Sequence, residues 1–287
     1  MSVRAFLAAK AAKTEQALDA YFATLHDVPD TLREAMRYSL FAGGKRLRPA
    51  LALGAAEIVC GKDTAAMPAA CAIEMIHTYS LIHDDLPSMD DDALRRGKPT
   101  SHVVYGEAIA ILAGDALLTM AFDVAARAND PRVLGEIARA AGAEGMVGGQ
   151  VIDLQSEDKR LSLEQLRHLH ACKTGALIRV SVRAGAILGG ATESQLDALT
   201  HYGQHIGLAF QIADDILDIT STEEVLGKPI GSDIASQKST YPALVGMDES
   251  RRLANEAVSS ALDALKSFGA EADTFRALAR YIVERDS

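Results

Sequence analysis

Apolar residues recur every three or four positions along most of the chain, and prolines or glycines separate the periodic segments. This spacing predicts amphipathic helices, and no segment shows the alternation of a convincing β-strand. We therefore predict an all-α fold. The predicted helices span residues 3–25, 31–42, 49–60, 64–85, 103–128, 131–155, 162–189, 192–218, 238–246, 248–268 and 271–284.

The segments between the predicted helices are short, apart from residues 86–102 and 219–237. Short connections favour antiparallel neighbours, and no linker divides the chain, so we expect residues 1–287 to form one helical domain. Each of the two longer segments begins where a helix that carries several aspartates ends. Both could therefore cover the mouth of one cavity.

Composition excludes some classes of function. The 287 residues are 48% apolar, which is ample for a core, and their formal net charge is −10. This acidic balance argues against a nucleic-acid-binding protein, because phosphate contacts require a basic surface. Cys60, Cys71 and Cys172 form neither a CxxC pair nor an even set, which is typical of a reducing compartment. No apolar run reaches the roughly 18 residues of a membrane span, so we expect a soluble, unprocessed cytoplasmic protein.

Two clusters of aspartates lie about 130 residues apart in otherwise apolar helical segments, DDLPSMD at residues 84–90 and DDILD at residues 214–218. Carboxylates at this density repel one another and are costly to bury unless hard cations such as Mg²⁺ neutralise them. On a helix, Asp214, Asp215 and Asp218 project to nearly the same side. Two such clusters facing one cavity would form a site for Mg²⁺ and a diphosphate.

The first cluster differs from the second because Pro87 disrupts its helix. An irregular turn then returns Asp90 towards Asp84, and the two carboxylates would bracket a metal ion. The alternative, a solvated acidic surface, fits residues 90–92 taken alone equally well. A solvated acidic surface does not explain why two separate aspartate clusters both lie in apolar segments, so a metal site is the favoured interpretation of the two clusters together.

Basic residues occur where a diphosphate would need them. In GGKRLRP at residues 43–49 the glycines permit close backbone approach, while Lys and Arg supply charge and bidentate hydrogen bonds to phosphate oxygens. This segment is not a Walker loop, so ATP-type phosphoryl transfer is disfavoured and a bound phosphate would be a leaving group. The basic candidates are Lys45, Arg46, Arg48, Arg95, Arg96, Lys173, Lys228 and Lys238.

Two histidines, His77 and His83, lie on the helix of the first cluster. The sequence supports a binding role and a structural role of His77 equally. Neither histidine belongs to an HExxH motif, and no Ser-His-Asp or Cys-His spacing appears, so a hydrolase nucleophile is unsupported. We therefore interpret the site as a metal site with Lys and Arg side chains that bind a diphosphate.

Together these segments resemble the trans-isoprenyl diphosphate synthases and, within them, the bacterial farnesyl diphosphate synthase branch. The resemblance covers nearly the whole chain, and no motif position departs from it. The matching segments are GGKRLRP (43–49), DDLPSMDDDALRRGKPTSH (84–102), Gly114-Asp115, Gly148-Gly149-Gln150 with Asp153, Lys173-Thr174, Phe210-Gln211, DDILD (214–218), GKPIGSD (227–233) and KSTYP (238–242).

The resemblance implies an orthogonal helical bundle around a central cavity, a homodimer, and three Mg²⁺ ions between the aspartate motifs and an allylic diphosphate. The implied metal ligands are Asp84, Asp85, Asp90 and Asp214, with Asp218 acting directly or through water. The implied allylic diphosphate site comprises Arg95, Lys173, Thr174, Gln211, Lys228 and Lys238. The implied isopentenyl diphosphate site comprises Gly44, Lys45, Arg48, His77 and Arg96. The residues expected to take part in catalysis are Asp84, Asp85, Asp90, Arg95, Lys173, Asp214 and Lys228.

The reaction implied by the resemblance is the 1′-4 condensation of isopentenyl diphosphate with dimethylallyl or geranyl diphosphate, which gives (2E,6E)-farnesyl diphosphate and diphosphate. Metal ions and cationic side chains would stabilise the departing diphosphate, and the double bond of isopentenyl diphosphate would attack the allylic cation. No side-chain base stands out, so the released diphosphate would accept the proton, as in the family.

The length of the product is inferred from one residue. Tyr79 lies five residues before Asp84, about 7.5 Å along a helix, where a growing prenyl chain would descend. An aromatic residue here resembles the farnesyl-producing pattern, and since Ser80 is small, Tyr79 alone would form the floor. The alternative is that Tyr79 is only a core aromatic, in which case it does not indicate product length. Geranylgeranyl diphosphate is the alternative product.

Two further alternatives fit less well. A terpene cyclase needs no isopentenyl site and normally carries an Asn/Ser/Glu triad where this chain has DDILD. A catalytically silent partner subunit would have lost some of the basic residues, and all of them are present.

Overall fold

Helices make up nearly all of the regular structure, which confirms the all-α prediction. The computed structural model describes residues 2–156, 159–220 and 239–284. Its helices are Val3–Ala23 (α1), Asp30–Leu40 (α2), Leu47–Cys60 (α3), Met67–Asp84 (α4), Ser101–Tyr105 (α5), Glu107–Ala126 (α6), Pro131–Ala141 (α7), Met146–Gln155 (α8), Leu163–His170 (α9), Ala176–Leu188 (α10), Glu193–Thr220 (α11), Tyr241–Val245 (α12), Met247–Ala264 (α13) and Asp273–Glu284 (α14). The remaining elements are 3₁₀ turns at Thr64–Ala66 and Ala270–Ala272, a π-helical turn at Ala171–Gly175, and a hairpin of Leu94–Arg95 (β1) and Lys98–Pro99 (β2).

Capping residues set several helix ends. Ser162 starts α9 with a capping box, in which its hydroxyl accepts from the backbone N–H of Gln165 and the Gln165 side chain accepts from the N–H of Ser162. Asp130 caps α7 in front of Pro131, which has no N–H to satisfy. α3 ends at Gly61, whose φ of 73° a residue with a Cβ would adopt less readily.

The structure interrupts two helices that the sequence predicts as continuous. Residues 103–128 divide at Gly106, which has a φ of 82°. Residues 131–155 divide before α8, where Gly145 passes so close to α7 that a Cβ would lie 2.1 Å from the Ala140 carbonyl oxygen. The apolar spacing continues across both breaks, so periodicity alone does not reveal them.

The absence of strands was also a wrong prediction, because residues 94–99 form an antiparallel hairpin. Its two turn residues, Arg96 and Gly97, have φ values of 54° and 72°, which are typical of a two-residue hairpin turn. Strands of two residues are too short to show alternation. The hairpin places Arg95 in a strand and Arg96 in the turn.

α4 and α10 lie in the interior of the bundle. α4 packs mainly on α6, and α10 packs on α3 and α11. Every residue of the segment 69–76 in α4 is buried. Gly185 allows α10 to approach α3 closely, since a Cβ there would lie 1.9 Å from the Ala52 carbonyl oxygen. Asp84 therefore lies at the C-terminal end of a helix whose middle is fully buried in the bundle.

α6 is apolar along most of its length. The most apolar stretch of 18 residues in α6 has a mean hydropathy of 1.8, so by length and composition the helix could span a membrane. Of these 18 residues, 39% are buried in the bundle. The buried face of α6 includes Ala110, Ala113, Leu117 and Ala121. Core helices pass the same test, so this helix is a weak indication of a membrane location.

Candidate active site

The first aspartate segment turns back on itself at the end of α4. The backbone N–H of Asp90 donates to the carbonyl of Asp84 at 2.9 Å, and the N–H groups of Met89 and Asp91 both donate to Leu86. This is the return turn that Pro87 predicts. It confirms that Asp90 lies beside Asp84.

The electrostatics of this segment show a partly desolvated carboxylate cluster. Burial raises the pKa of Asp84 to about 6, and Asp90 and Asp85 add to the shift while Lys173 and Arg95 oppose it. Burial also raises the pKa of Asp85, against the opposing effect of Arg95. A cation in this place would stabilise the ionised form of both carboxyls.

Arg95 already supplies one such cation. Its Nε and Nη2 atoms lie 2.6 and 2.5 Å from Oδ1 of Asp85, and Nη2 lies 3.4 Å from Asp92. The β1–β2 hairpin thus folds a guanidinium onto the first aspartate motif. Arg95, Arg96 and Asp85 line a small cleft of about 40 Å³ beside the end of α4.

The second aspartate segment lies on α11, which continues as one helix through Thr220. Asp214 is half-buried, whereas Asp215 and Asp218 are buried. Oδ2 of Asp215 accepts a hydrogen bond of 2.9 Å from the backbone N–H of Tyr241, so this carboxylate holds the start of α12. The helical spacing predicted for the three aspartates is confirmed.

Arg48 lies within electrostatic range of the second aspartate segment. Burial lowers its pKa, and both Asp214 from the second segment and Arg96 from behind the first segment act on it. Its Nε atom is buried and has no hydrogen-bond partner among the described residues. Arg48 therefore has a buried donor without a partner among the described residues, and it lies close enough to Asp214 for the two charges to interact.

Arg96 and Gly44 meet beside Arg48. The Nη1 atom of Arg96 donates to the Gly43 carbonyl. Gly44 has a φ of +125°, and a Cβ there would lie 2.7 Å from Arg96 Nη1, so both conformation and space require glycine. Lys45 is exposed on the same loop.

His77 lies near the same arginines. Burial lowers its pKa well below the ordinary value, and Arg48, Arg96, Arg95 and Arg46 lower it further. The imidazole is therefore neutral near pH 7 and can donate one hydrogen bond.

Arg46 has a different role from its neighbours in GGKRLRP. Its guanidinium points inwards, with Nη1 2.7 Å from Glu74 and Nη2 2.6 Å from the Leu40 carbonyl and 3.2 Å from Glu15. Arg46 itself has a φ of 47° and is 3% exposed. It anchors the glycine loop to α1, α2 and α4 rather than presenting charge to a ligand.

Lys173 and Thr174 lie on the π-helical turn between α9 and α10. Lys173 Nζ is 2.6 Å from Oδ2 of Asp153 on α8. A Cβ at Gly149 would lie 2.3 Å from the backbone nitrogen of Lys173, so α8 packs directly on this turn. Single π-helical turns are frequent at functional sites because they change the direction in which side chains point.

One cavity of about 410 Å³ joins several of these groups. Charged and polar side chains lie on one part of its wall, and apolar side chains of α4 and α8 form the rest. From the predicted sites it contains Arg48, His77, Tyr79, Ser80, Asp84, Lys173 and Thr174. The wall also contains Leu81, His83, Met89, Met146, Val147, Gln150, Val151 and Leu154, to which the sequence assigned no role.

Other predicted residues lie outside this wall. Asp85, Arg95 and Arg96 line the neighbouring cleft, and Lys228 and Lys238 lie outside the described residues. Gln211 is half-buried on α11, one turn before Asp215. Within residues 2–156, 159–220 and 239–284, no group of three or more His, Cys, Asp or Glu side chains is close enough to hold a metal without further ligands.

Tyr79 lies in the wall of this cavity. It is 6% exposed, and its ring meets that of His83 edge-on, with the centroids 5.7 Å apart and the planes at 82°. The ring is therefore buried and has a defined neighbour on the same helix.

Comparisons with known proteins identify the family of the whole chain. A family model described as polyprenyl synthetase matches residues 29–278. The chain is 52% identical to a farnesyl diphosphate synthase of Geobacillus stearothermophilus over 86% of either chain. It is 48% identical to a chloroplastic geranylgeranyl pyrophosphate synthase of Catharanthus roseus, over 99% of this chain and 82% of the relative. A crystal structure of geranylgeranyl pyrophosphate synthetase from Pyrococcus horikoshii superimposes with a TM-score of 0.89 at 34% identity, over 99% of this chain and 98% of that one.

Proposed function

The chain belongs to the polyprenyl synthetase family, and we propose that it is the prenyltransferase that makes (2E,6E)-farnesyl diphosphate from isopentenyl diphosphate and dimethylallyl or geranyl diphosphate. The observation that carries the proposal is the cavity of about 410 Å³, in which Asp84, Lys173, Arg48 and His77 adjoin an apolar interior. A substrate with a diphosphate head and a prenyl tail matches this division of polar and apolar walls.

Mg²⁺ fits the donor chemistry of the two aspartate segments. It prefers oxygen ligands and usually completes its shell with water and substrate phosphates, so one or two carboxylates from each segment suffice. The proposed ligands are Asp84, Asp85, Asp90 and Asp214, with Asp218 in support, and the proposed number of ions is three. When bound, the metal would neutralise the charge that develops on the departing diphosphate.

The allylic diphosphate would bind between the aspartates and the π-helical turn. Asp153 holds Lys173 in place, and the positive charge of Lys173 acts on Asp84. Arg95 would exchange part of its contact with Asp85 for the diphosphate. The proposed set is Arg95, Lys173, Thr174 and Gln211, together with Lys228 and Lys238 outside the described residues.

Isopentenyl diphosphate would bind at the glycine loop. Arg48 offers a buried Nε donor without a partner among the described residues, and neutral His77 lies beside it. Arg96 lies against Gly44 and adds a second guanidinium. The proposed set is Gly44, Lys45, Arg48, His77 and Arg96.

The reaction then depends mainly on position and charge. The allylic C–O bond breaks as diphosphate leaves, and the double bond of isopentenyl diphosphate attacks the cation at C1 to form the new C–C bond. The proton lost afterwards passes to the diphosphate. The apolar side chains of α4 and α8 exclude water, which would otherwise capture the cation.

Tyr79 supports the farnesyl product, because its buried ring lies in the cavity wall. The alternative product is geranylgeranyl diphosphate, which the names of several relatives favour. A catalytically silent subunit is the remaining alternative.

We also propose that the protein acts as a cytoplasmic homodimer. Exposed apolar side chains on α5 and α6 would be covered in a dimer, namely Val103, Val104, Ile111 and Leu112. Light scattering on the purified protein should give twice the 30.5 kDa of one chain, and a mass of one chain would refute this assembly.

Product identification tests the function. The purified protein should be incubated with Mg²⁺, isopentenyl diphosphate and either allylic primer, and the products dephosphorylated and separated. Farnesol is the expected alcohol, and EDTA should abolish its formation. Geranylgeraniol would leave the condensation intact but refute the farnesyl assignment, and the absence of any product would favour a silent subunit.

Tyr79→Ala tests the origin of the product length. Removing the ring should open the cavity and shift the product towards geranylgeranyl diphosphate. Ser80→Ala is the matched control, because it changes a small neighbour in the same wall. An unchanged C15 product from Tyr79→Ala would exclude Tyr79 as the floor.

A further inference from the structure

His83 has no part in the reaction described above, although it lies between Tyr79 and Asp84 on α4. Its Nε2 atom is 3.0 Å from the carbonyl oxygen of Ile111 on α6. A carbonyl can only accept, so Nε2 carries the proton and donates it to this bond. The imidazole is therefore fixed to the backbone of a second helix.

Gly114 provides the space that this ring occupies. A Cβ at Gly114 would lie 2.2 Å from Nε2 and 2.5 Å from Cδ2 of His83, far inside any contact distance. The reason for glycine here is space, because Gly114 is in the interior of α6 and its φ is not positive. This contact explains the glycine of the Gly114-Asp115 motif.

The fixed imidazole in turn meets the ring of Tyr79. The two residues are four positions apart and lie on the same face of α4, and their rings are edge-on at 5.7 Å. Such edge-to-face pairs favour one relative orientation of the rings. Both rings line the cavity of about 410 Å³.

We propose that His83 and Gly114 are positioning residues that determine product length by holding the ring of Tyr79 across the path of the growing prenyl chain. Gly114 leaves room for the imidazole, the Ile111 carbonyl fixes its plane, and the imidazole limits the rotation of the phenol. The inference rests on the proposed condensation and on Tyr79 as the floor.

The direct test is the ratio of C20 to C15 product in His83→Ala and Gly114→Ala. Each variant should raise the ratio about two- to tenfold, the population change expected when one aromatic pair is lost. Gly114→Ala retains the imidazole but displaces it, so this variant separates the position of the ring from its chemistry near Asp84. Gly135→Ala is the control, because the nearest atom to its Cβ would be 3.7 Å away, and it should leave the ratio unchanged.

Double variants show whether the effect passes through Tyr79. His83→Ala removes the imidazole and so leaves room for the methyl group that Gly114→Ala introduces. The double variant should therefore have the same C20 to C15 ratio and the same melting temperature as His83→Ala alone. In a Tyr79→Ala background neither substitution should change the ratio. A purely structural role would lower the melting temperature or the rate without moving the ratio.

Several outcomes would overturn the inference. One is a folded His83→Ala protein with the wild-type ratio, and this variant decides the matter even if Gly114→Ala does not fold. Another is an equal shift in the Tyr79→Ala background, which would mean that His83 limits the chain directly. If Tyr79→Ala lengthens the product and His83→Ala does not, only this inference fails. If the wild-type protein forms no product, the proposed function fails and this inference fails with it.

Discussion

At the scale of single residues, Asp84 has the clearest electrostatic role. Burial raises its pKa to about 6, and Lys173 is the main opposing charge. Asp84→Asn keeps the shape of the side chain and removes the charge that would hold Mg²⁺ and the leaving diphosphate. We expect kcat to fall about 10²- to 10³-fold, because losing one electrostatic contact to a transition state usually has an effect of this size. The assay uses geranyl diphosphate at saturating Mg²⁺.

Asp91→Asn is the matched control for this substitution. Asp91 is exposed and has a φ of 52°, a conformation that asparagine adopts readily. The kcat of Asp91→Asn should stay within about twofold of the wild-type kcat, because surface substitutions away from a site usually have small effects. Equal losses in both variants would contradict a special role of Asp84.

His170 gives the protein a predictable dependence of stability on pH. The residue is 8% exposed, and burial lowers its pKa to about 4. Because this value lies below the ordinary 6.5 of the unfolded chain, the unfolded state binds more protons between about pH 4 and 6.5, and stability falls as the pH falls through this window. The contribution between pH 7 and pH 5 is about 2 kcal/mol.

His170→Phe should reduce that dependence while keeping a ring against Tyr241, whose centroid is 5.7 Å from that of His170. Urea denaturation gives the free energy of unfolding at pH 7 and at pH 5. The loss of this free energy between pH 7 and pH 5 should be smaller in His170→Phe than in wild type by about 2 kcal/mol. His168→Phe, at an exposed histidine, should leave the wild-type dependence. The same pH dependence in wild type and His170→Phe would show that His170 does not carry it.

The sequence predicts residue types at the site better than it predicts their individual roles. Arg46 and Arg48 are two positions apart in one basic segment, yet Arg46 is paired internally with Glu74 and Arg48 lines the cavity. The difference arises from where α4 places Glu74, which is a tertiary fact. Similarly, the role of Gly114 depends on the imidazole of another helix.

At the scale of secondary-structure elements, α3 packs closely on α10, and α3 also carries Arg48 into the cavity wall. A Cβ at Gly185 would lie 1.9 Å from the Ala52 carbonyl oxygen and 3.0 Å from Cβ of Ala55. Gly185→Ala should therefore separate the helices and lower the free energy of unfolding by about 1–3 kcal/mol, measured by urea denaturation.

Gly135→Ala on α7 is the opposite case for the same chemical change. Its Cβ would have no neighbour nearer than 3.7 Å, so only the helix propensity changes and stability should rise by about 0.5–1 kcal/mol. Equal effects at the two positions would contradict the close approach of α3 and α10.

The long helices follow from the sequence because their apolar spacing is regular, and α4 and α11 are where the aspartate motifs predict them. The shorter features do not. Nothing in the apolar pattern distinguishes the π-helical turn at Ala171–Gly175 from an α-helical one, although it determines the position of Lys173. The β1–β2 hairpin depends on two positive-φ residues, of which only Gly97 is a recognisable signal.

At the scale of the whole molecule, the account depends on two aspartate motifs that are distant in the chain acting on one diphosphate. Arg48 lines the same cavity as Asp84 of the first motif, and it is close enough to Asp214 of the second motif for the charge of Asp214 to raise its pKa. The resemblance of the sequence to a family predicts this convergence, whereas helix periodicity alone does not. The α8 wall of the cavity likewise follows only from how the helices pack.

The most direct test of the central claim is anomalous diffraction from crystals grown with Mn²⁺ in place of Mg²⁺ and a non-hydrolysable thio analogue of geranyl diphosphate. We predict Mn²⁺ peaks at Asp84 and Asp90 and at Asp214, joined by one diphosphate that also contacts Lys173. Metal at only one aspartate motif, or a diphosphate bound away from Lys173, would contradict the account.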